Sequence, residues 1–167
     1  MRKAFENPIT KKRLSNLQKY DPIYKAIVFI VVLLVIPICS VVFFSNDDFT
    51  GKLRAFLIME VIFILFTPII PKIDGFAKLR ALKKKGFTTY HVELDLKYDR
   101  IFFGEGQVVL DPRNRMHIVS TEDEYYFYYA LGTNHYKKFS LAKNTESIGE
   151  LLSFFDVHFK RLSIKYK

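Results

Sequence analysis

Residues 26–44, AIVFIVVLLVIPICSVVFF, run for nineteen positions without a charge. At about 1.5 Å per residue such a helix reaches roughly 28 Å, close to the hydrocarbon thickness of a bilayer. A helix that is apolar on every side has no place in a chain of 167 residues unless lipid surrounds it. Pro37 would break a water-exposed helix, yet membrane helices tolerate proline where neighbours satisfy the freed carbonyl. The stretch reads as a membrane span. It starts too late and is too long for a signal-peptide core, and a second apolar run follows, so cleavage is not expected.

The second run, Ala55–Ile70, is shorter and contains Glu60. Extended from Leu53 to Ile73, it makes a workable span if Arg54 and Lys72 snorkel to the two interfaces. The charge pattern orients the pair. Residues 1–85 carry a net +9, all of the chain's excess, whereas residues 86–167 are neutral. The excess lies in two blocks flanking the apolar runs, one within residues 1–25 and the other over Lys72–Lys85. The connector Ser45–Arg54 balances Asp47 and Asp48 against Lys52 and Arg54. The positive-inside bias therefore puts both basic flanks, and both termini, in the cytoplasm. Retention at the membrane and anionic lipid account for these charges where they abut the spans, so nucleic acid is not an expected partner. Asn7–Tyr24, with Ile9, Leu14, Leu17 and Tyr20, reads either as an interfacial helix or as a solvated tail that sets topology.

Beyond Lys85 the pattern changes to short strands and turns. Thr88–Leu96 alternates, with Tyr90, Val92, Leu94 and Leu96 on one side and His91, Glu93 and Asp95 on the other. Turn-like residues 97–100 and Gly104-Glu105-Gly106 bracket a strand at Ile101–Phe103. Further strands are expected at Gln107–Leu110, Met116–Ser120, Glu124–Leu131 and Tyr136–Leu141, with a turn at Gly132-Thr133-Asn134. Aromatic residues on both faces of Glu124–Leu131 suggest a strand covered on both sides or meeting another surface. A closing helix is expected from Asn144 or Thr145, with Ser147 and Glu150 as a capping box. Its apolar stripe is Ile148, Leu151, Leu152, Phe155, Phe159 and Leu162.

The expected fold is thus an α+β membrane protein. A basic segment (1–25) precedes a transmembrane helical hairpin (26–73) and a basic linker (74–86). A small antiparallel β domain (87–167), closed by a C-terminal α-helix, follows. The stretch VVLDPRNRMHIVSTEDEYYFYYAL, and HYKKFSLAKNTESIGELLSFF after it, resembles bacterial YcxB-like membrane proteins, whose tails are similar to pleckstrin-homology (PH) domains. The resemblance spans most of residues 25–160. This chain departs from it in having Asp111-Pro112 where an aromatic residue, usually Trp, precedes the Met116 strand. It implies a PH-like tail and a multi-pass location in the bacterial cell membrane more than it implies a reaction.

Signals for chemistry are thin. Cys39 is the single cysteine, which excludes an intrachain disulfide and a Cys-rich zinc site. His91, His117, His135 and His158 have no ligand-like spacing, and His91 with Glu93 reads as a solvated strand face before it reads as an acid–base pair. Gly104-Glu105-Gly106 lacks the third glycine and the helix of a dinucleotide loop. No metal, cofactor or enzymatic activity is expected. Half the residues are apolar, too many for a disordered chain.

The function expected is a membrane-anchored binding module, with a protein partner preferred over an anionic lipid because the tail is neutral. Its candidate contacts are Tyr126 and Tyr128, Arg113 with Arg115, and Lys137 and Lys138 beside Tyr136. An immunity protein that neutralises a toxin at the membrane is a second reading. A transporter or channel subunit is a third, resting on the intramembrane Glu60 and requiring a homo-oligomer to complete a path.

Overall fold

The structure, a computed structural model, describes residues 2–43, 48–95, 100–103, 106–131 and 136–167. In chain order the elements are β1 (Arg2–Pro8), α1 (Lys11–Lys19), α2 (Pro22–Ile30), a π-helical segment (Val31–Val35), α3 (Ile36–Phe43), α4 (Phe49–Phe66) and α5 (Ile70–Lys84). There follow β2 (Thr89–Asp95), β3 (Arg100–Phe103), β4 (Gly106–Val109), β5 (Arg115–Ser120), β6 (Glu124–Ala130), β7 (Tyr136–Ala142), α6 (Ile148–His158) and β8 (Arg161–Tyr166). The expected turns at 97–100, 104–106 and 132–134 fall wholly or partly outside the described residues, as does part of the connector at 45–54.

Among the described residues the strands form two four-stranded sheets. The first has the order β1-β2-β3-β4 and is antiparallel throughout. The second has the order β7-β6-β5-β8, with β8 parallel to β5. Inward-facing residues of both sheets share one core with α6: Phe5, Val92 and Val108 meet Ile118, Phe127, Phe139, Leu141 and Phe155. The rings of Phe127 and Phe139 stack at 4.6 Å. The chain is a mixture of helix and predominantly antiparallel sheet, as its patterning indicates.

Four expectations need correction. Residues 1–25 are neither an interfacial helix nor a free tail. Arg2–Pro8 pairs with the whole of β2, and α1 buries Arg13, Leu14 and Leu17. The basic linker at 74–86 is helical almost to its end, within α5. The closing helix stops at His158, and Leu162 lies in β8 rather than on the helix stripe. Ser147 is the N-cap of α6, but its φ of 60° is left-handed and its side chain makes no capping hydrogen bond, so no capping box forms.

The apolar runs are helical, and their prolines shape them. From Pro22 to Phe43 the chain is helical throughout, interrupted by the widened π turn at Val31–Val35. The Ile36 N–H donates to the Val31 carbonyl immediately ahead of Pro37. Proline has no N–H to give and its ring crowds the carbonyl four residues back, so the wider turn makes room for it. The stretch Pro22–Cys39 is long and apolar enough to cross a membrane, and only 6% of it is buried. Phe29, Leu34, Ile38 and Val42 are each more than half exposed.

Helices α4 and α5 are separated by Thr67–Ile69 and bent by 43°, so they make a second span only if the bent pair is counted as one. The expected span from Leu53 to Ile73 crosses this break. In an unbroken helix the Thr67 carbonyl would accept from residue 71, but that residue is Pro71. The Tyr24 hydroxyl donates to it instead, at 2.9 Å, tying the start of the first apolar helix to the break.

Helix α5 crosses α1 at Gly75. A Cβ there would lie 2.8 Å from the Ser15 backbone N and 3.0 Å from its Cα. Changing a helix-interior glycine to alanine ordinarily gains about 1 kcal/mol from propensity. Here Gly75→Ala should instead lower stability by about 1–3 kcal/mol, because backbone must move to admit the methyl group. A thermal midpoint of the detergent-solubilised protein that stayed level or rose would show that the two helices do not approach so closely.

Candidate functional site

Period-2 alternation sends Arg115, His117 and Val119 of β5 to the face of the second sheet opposite the core residues Met116 and Ile118. The parallel register sets Arg115 beside Arg161, His117 beside Ser163 and Val119 beside Lys165. On the other side His117 and Val119 pair with Tyr128 and Tyr126, which pair in turn with Lys138 and Ser140. This outer face therefore carries both aromatic and basic residues in fixed rows. Helix α1 covers one half of it.

Under α1, Leu17 packs with Val119, Tyr126 and Tyr128, and Tyr20 closes the edge at 5.4 Å from the Tyr126 ring. The Tyr128 hydroxyl donates to the Leu17 carbonyl at 3.0 Å, satisfying one of the acceptors that a helix C-terminus leaves open. The Tyr126 hydroxyl donates to Glu124 Oε2 at 2.6 Å and accepts from Asn16 Nδ2 at 2.9 Å. Arg13 Nε meets the other Glu124 oxygen at 2.6 Å, and its Nη1 reaches the Pro8 carbonyl at 2.8 Å. Burial raises the pKa of both tyrosines, helped at Tyr126 by the Glu124 carboxylate and at Tyr128 by the charge of Asp21. Both remain neutral donors.

The aromatic contact surface expected of Tyr126 and Tyr128 is therefore absent. They are 1% and 0% exposed, and their partner is the chain's own N-terminal helix. Lys138 is likewise committed, with Nζ 2.6 Å from Asp21 Oδ2 and 3.2 Å from Gln18 Oε1. Arg113 turns back on Asp111 at 2.8 Å and, through side-chain and backbone donors, holds that carboxyl at a pKa of about 2. Lys137 occupies the alternate position on β7, paired with Tyr129. Glu60 is half-buried in the second half of α4, and no hydrogen bond or ion pair joins it to a described residue. His91 approaches Glu6 across the β1–β2 pair, its Nδ1 3.4 Å from Oε1, with both side chains well exposed. Among the described residues no group of three or more His, Cys, Asp and Glu could hold a metal ion.

Of the expected contacts, the structure brings Arg115 and Tyr136 together. They line an open cavity of about 580 Å³ on the half of the sheet that α1 leaves bare. The other walls include His117, Arg161, Ser163 and Lys165, with Pro22 and Lys25 from the start of α2. No carboxylate lines it among the described residues. His117 is half-buried and its pKa is lowered, first by burial and then by Lys165 and Lys25; its Nδ1 is 3.1 Å from Ser163 Oγ. Sequence reasoning missed Arg161 and Lys165 because the helix stripe was carried through to Leu162. The signal was present in RLSIKY, where Arg, Ser and Lys alternate with Leu, Ile and Tyr.

Family models, curated proteins and solved structures offer no match to the chain.

Two outcomes follow from these contacts. Lys138→Met would leave Asp21, 6% exposed, without its cation and should cost about 2 kcal/mol, less than a fully buried pair because Lys138 keeps some solvent. The double variant with Asp21→Asn should recover most of that loss, as read by chemical denaturation. For His117 the sign follows from its lowered folded-state pKa. As pH falls below about 6.5 the unfolded chain takes up the proton first, so stability declines on acidification. His117→Gln should flatten that decline in thermal midpoints measured between pH 7.5 and 5.5.

Proposed function

We propose that the protein is a membrane-anchored binding module. In this reading the two apolar runs form a two-span hairpin, both termini are cytoplasmic, and the domain sits directly on the inner face of the membrane. What carries the reading is the way Asp21 and Tyr24 bind domain and apolar helices together. Asp21 accepts Lys138 from the sheet and the Ile23 N–H from α2, while Tyr24 reaches Thr67 at the end of α4. No free linker intervenes on this side, so the outer face of the second sheet is held at a set distance from the bilayer.

The preference for a protein partner falls away with the burial of Tyr126 and Tyr128. So does the argument that the cytoplasmic unit is neutral. Strand β1, α1 and α5 belong to that unit, and residues 2–25 and 70–167 together carry a net +10. Such a charge suits attraction to anionic lipid. The half-exposed aliphatic residues of α2 to α4 and the resemblance to YcxB-like membrane proteins support the same placement.

Topology is tested by cysteine labelling in a Cys39→Ser background. A membrane-impermeant maleimide added to intact cells should label Thr50→Cys and should label Val157→Cys only after lysis. The full chain should sediment with membranes and be released by detergent. Labelling of Val157→Cys from outside, or a chain that stays soluble without detergent, would overturn the proposal.

A further inference from the structure

We infer that the bare half of the second sheet is a binding site for a phosphate group, of the kind an anionic lipid headgroup presents, seated between Arg115 and Arg161. The lipid source rests on the membrane-anchored reading; the phosphate chemistry rests on the cavity alone.

The first argument is register. Neighbouring strands lie about 4.8 Å apart, and Arg115 and Arg161 are direct partners in the parallel pair, so two guanidinium groups rise side by side from one face. Like charges placed opposite each other in a sheet are destabilising unless something lies between them. Neither arginine forms an ion pair with a described residue, and no carboxylate lines the cavity among the described residues. This contrasts with Arg13, Arg113 and Lys138, each of which has its own carboxylate.

The second argument is chemical. A guanidinium offers a planar fork of donors that matches two oxygens of a phosphate, which makes a pair of them a better fit to that group than to a halide or a single carboxylate. Lys25 and Lys165 add charge from two further walls, and the Ser163 and Tyr136 hydroxyls add neutral donors. A volume of about 580 Å³ admits a phosphodiester headgroup with its glycerol.

The third argument is position. Pro22 and Lys25, which close the cavity, lie in the first turns of α2, the element that continues into the apolar run. A ligand touching Lys25 therefore lies where that helix would enter the bilayer, at headgroup depth. Arg80, Lys83 and Lys84 of α5 line a separate open cavity of about 500 Å³ with Phe76 and Leu79, but its basic groups all come from one helix and no strand register pairs them.

The test uses the full chain, purified in neutral detergent and stripped of lipid. Native mass spectrometry would follow retention of phosphatidylglycerol against phosphatidylcholine with the same acyl chains. Wild type should hold phosphatidylglycerol at least tenfold more tightly. Arg115→Gln with Arg161→Gln should abolish that preference, roughly tenfold or more for the pair of charge-assisted contacts. The Arg115→Lys, Arg161→Lys pair keeps the charge, loses the fork and should fall between the two. Lys83→Gln with Lys84→Gln removes equal charge away from the cavity and should leave the preference intact. A parallel arm measures the thermal shift with inorganic phosphate and glycerol 1-phosphate. A shift that needs the two arginines, without lipid preference, assigns the site to a soluble phosphate. If both glutamine pairs weaken lipid binding equally, or if the arginine pair changes neither arm, the site does not exist. Neither arm depends on where the protein resides, so failure of the topology test would leave this result readable.

Discussion

Asp21 is the residue on which the arrangement turns. It stands between α1, which packs on the second sheet, and α2, which begins the first apolar run. One carboxylate oxygen accepts the Ile23 N–H and starts α2; the other takes the Lys138 ammonium from β7. A capping carboxylate and an ion pair usually serve separate ends. Here they share one buried group, so the direction in which the apolar helix leaves the domain is set by the same contact that seats α1 on the sheet. Removing Lys138 leaves the buried Asp21 carboxylate without its cation, which is why such a pair resists piecemeal change.

The proline positions extend the same logic along the apolar helices. Each proline deprives one carbonyl of its helical donor, and in a medium without water that carbonyl must be satisfied from elsewhere. The π turn ahead of Pro37 is a local solution. At Pro71 the solution is tertiary, because the freed Thr67 carbonyl takes the Tyr24 hydroxyl from another helix. The defect thus becomes a joint between the two apolar segments. Gly75 makes a further joint by letting α5 approach the Ser15 backbone. The consequence is a chain of contacts in which Asp21 joins the sheet to the first apolar helix and Tyr24 joins that helix to the end of α4.

Much of this was legible in the sequence where a strong local period existed. Strands β2 to β7 follow from alternation and turn residues, and each lies within a residue or two of its expectation. What could not be read locally is what the N-terminal residues pair with. Arg2–Pro8 is a strand only because β2, distant in sequence, offers it an antiparallel edge in register. The aromatic run of β6 left open whether its second face is covered within the chain or meets another surface, because an amphipathic segment does not name its cover; Leu17 of α1 is that cover. The end of α6 was lost for a different reason. Leu162 fits both a helical stripe continued from Phe159 and a strand alternating from Arg161, and only tertiary pairing with β5 decides between them. That ambiguity hid half of the cavity's charge.

A simpler account of Arg161 and Lys165 is that β8 is an edge strand, and natural edges carry basic residues to prevent pairing with another chain. The account fails at Arg115 and His117, which belong to β5, paired on both sides and in no need of such protection. It also fails at Lys25, which comes from a helix. Edge protection asks only that charge lie along the edge, whereas here three elements direct charge into one concavity. Burial lowers the pKa of His117, and Lys165 and Lys25 lower it further. A concentration of like charge that no fold-stabilising requirement explains is best understood as complementarity to an anion, and its place beside the first turns of α2 gives that anion a natural source.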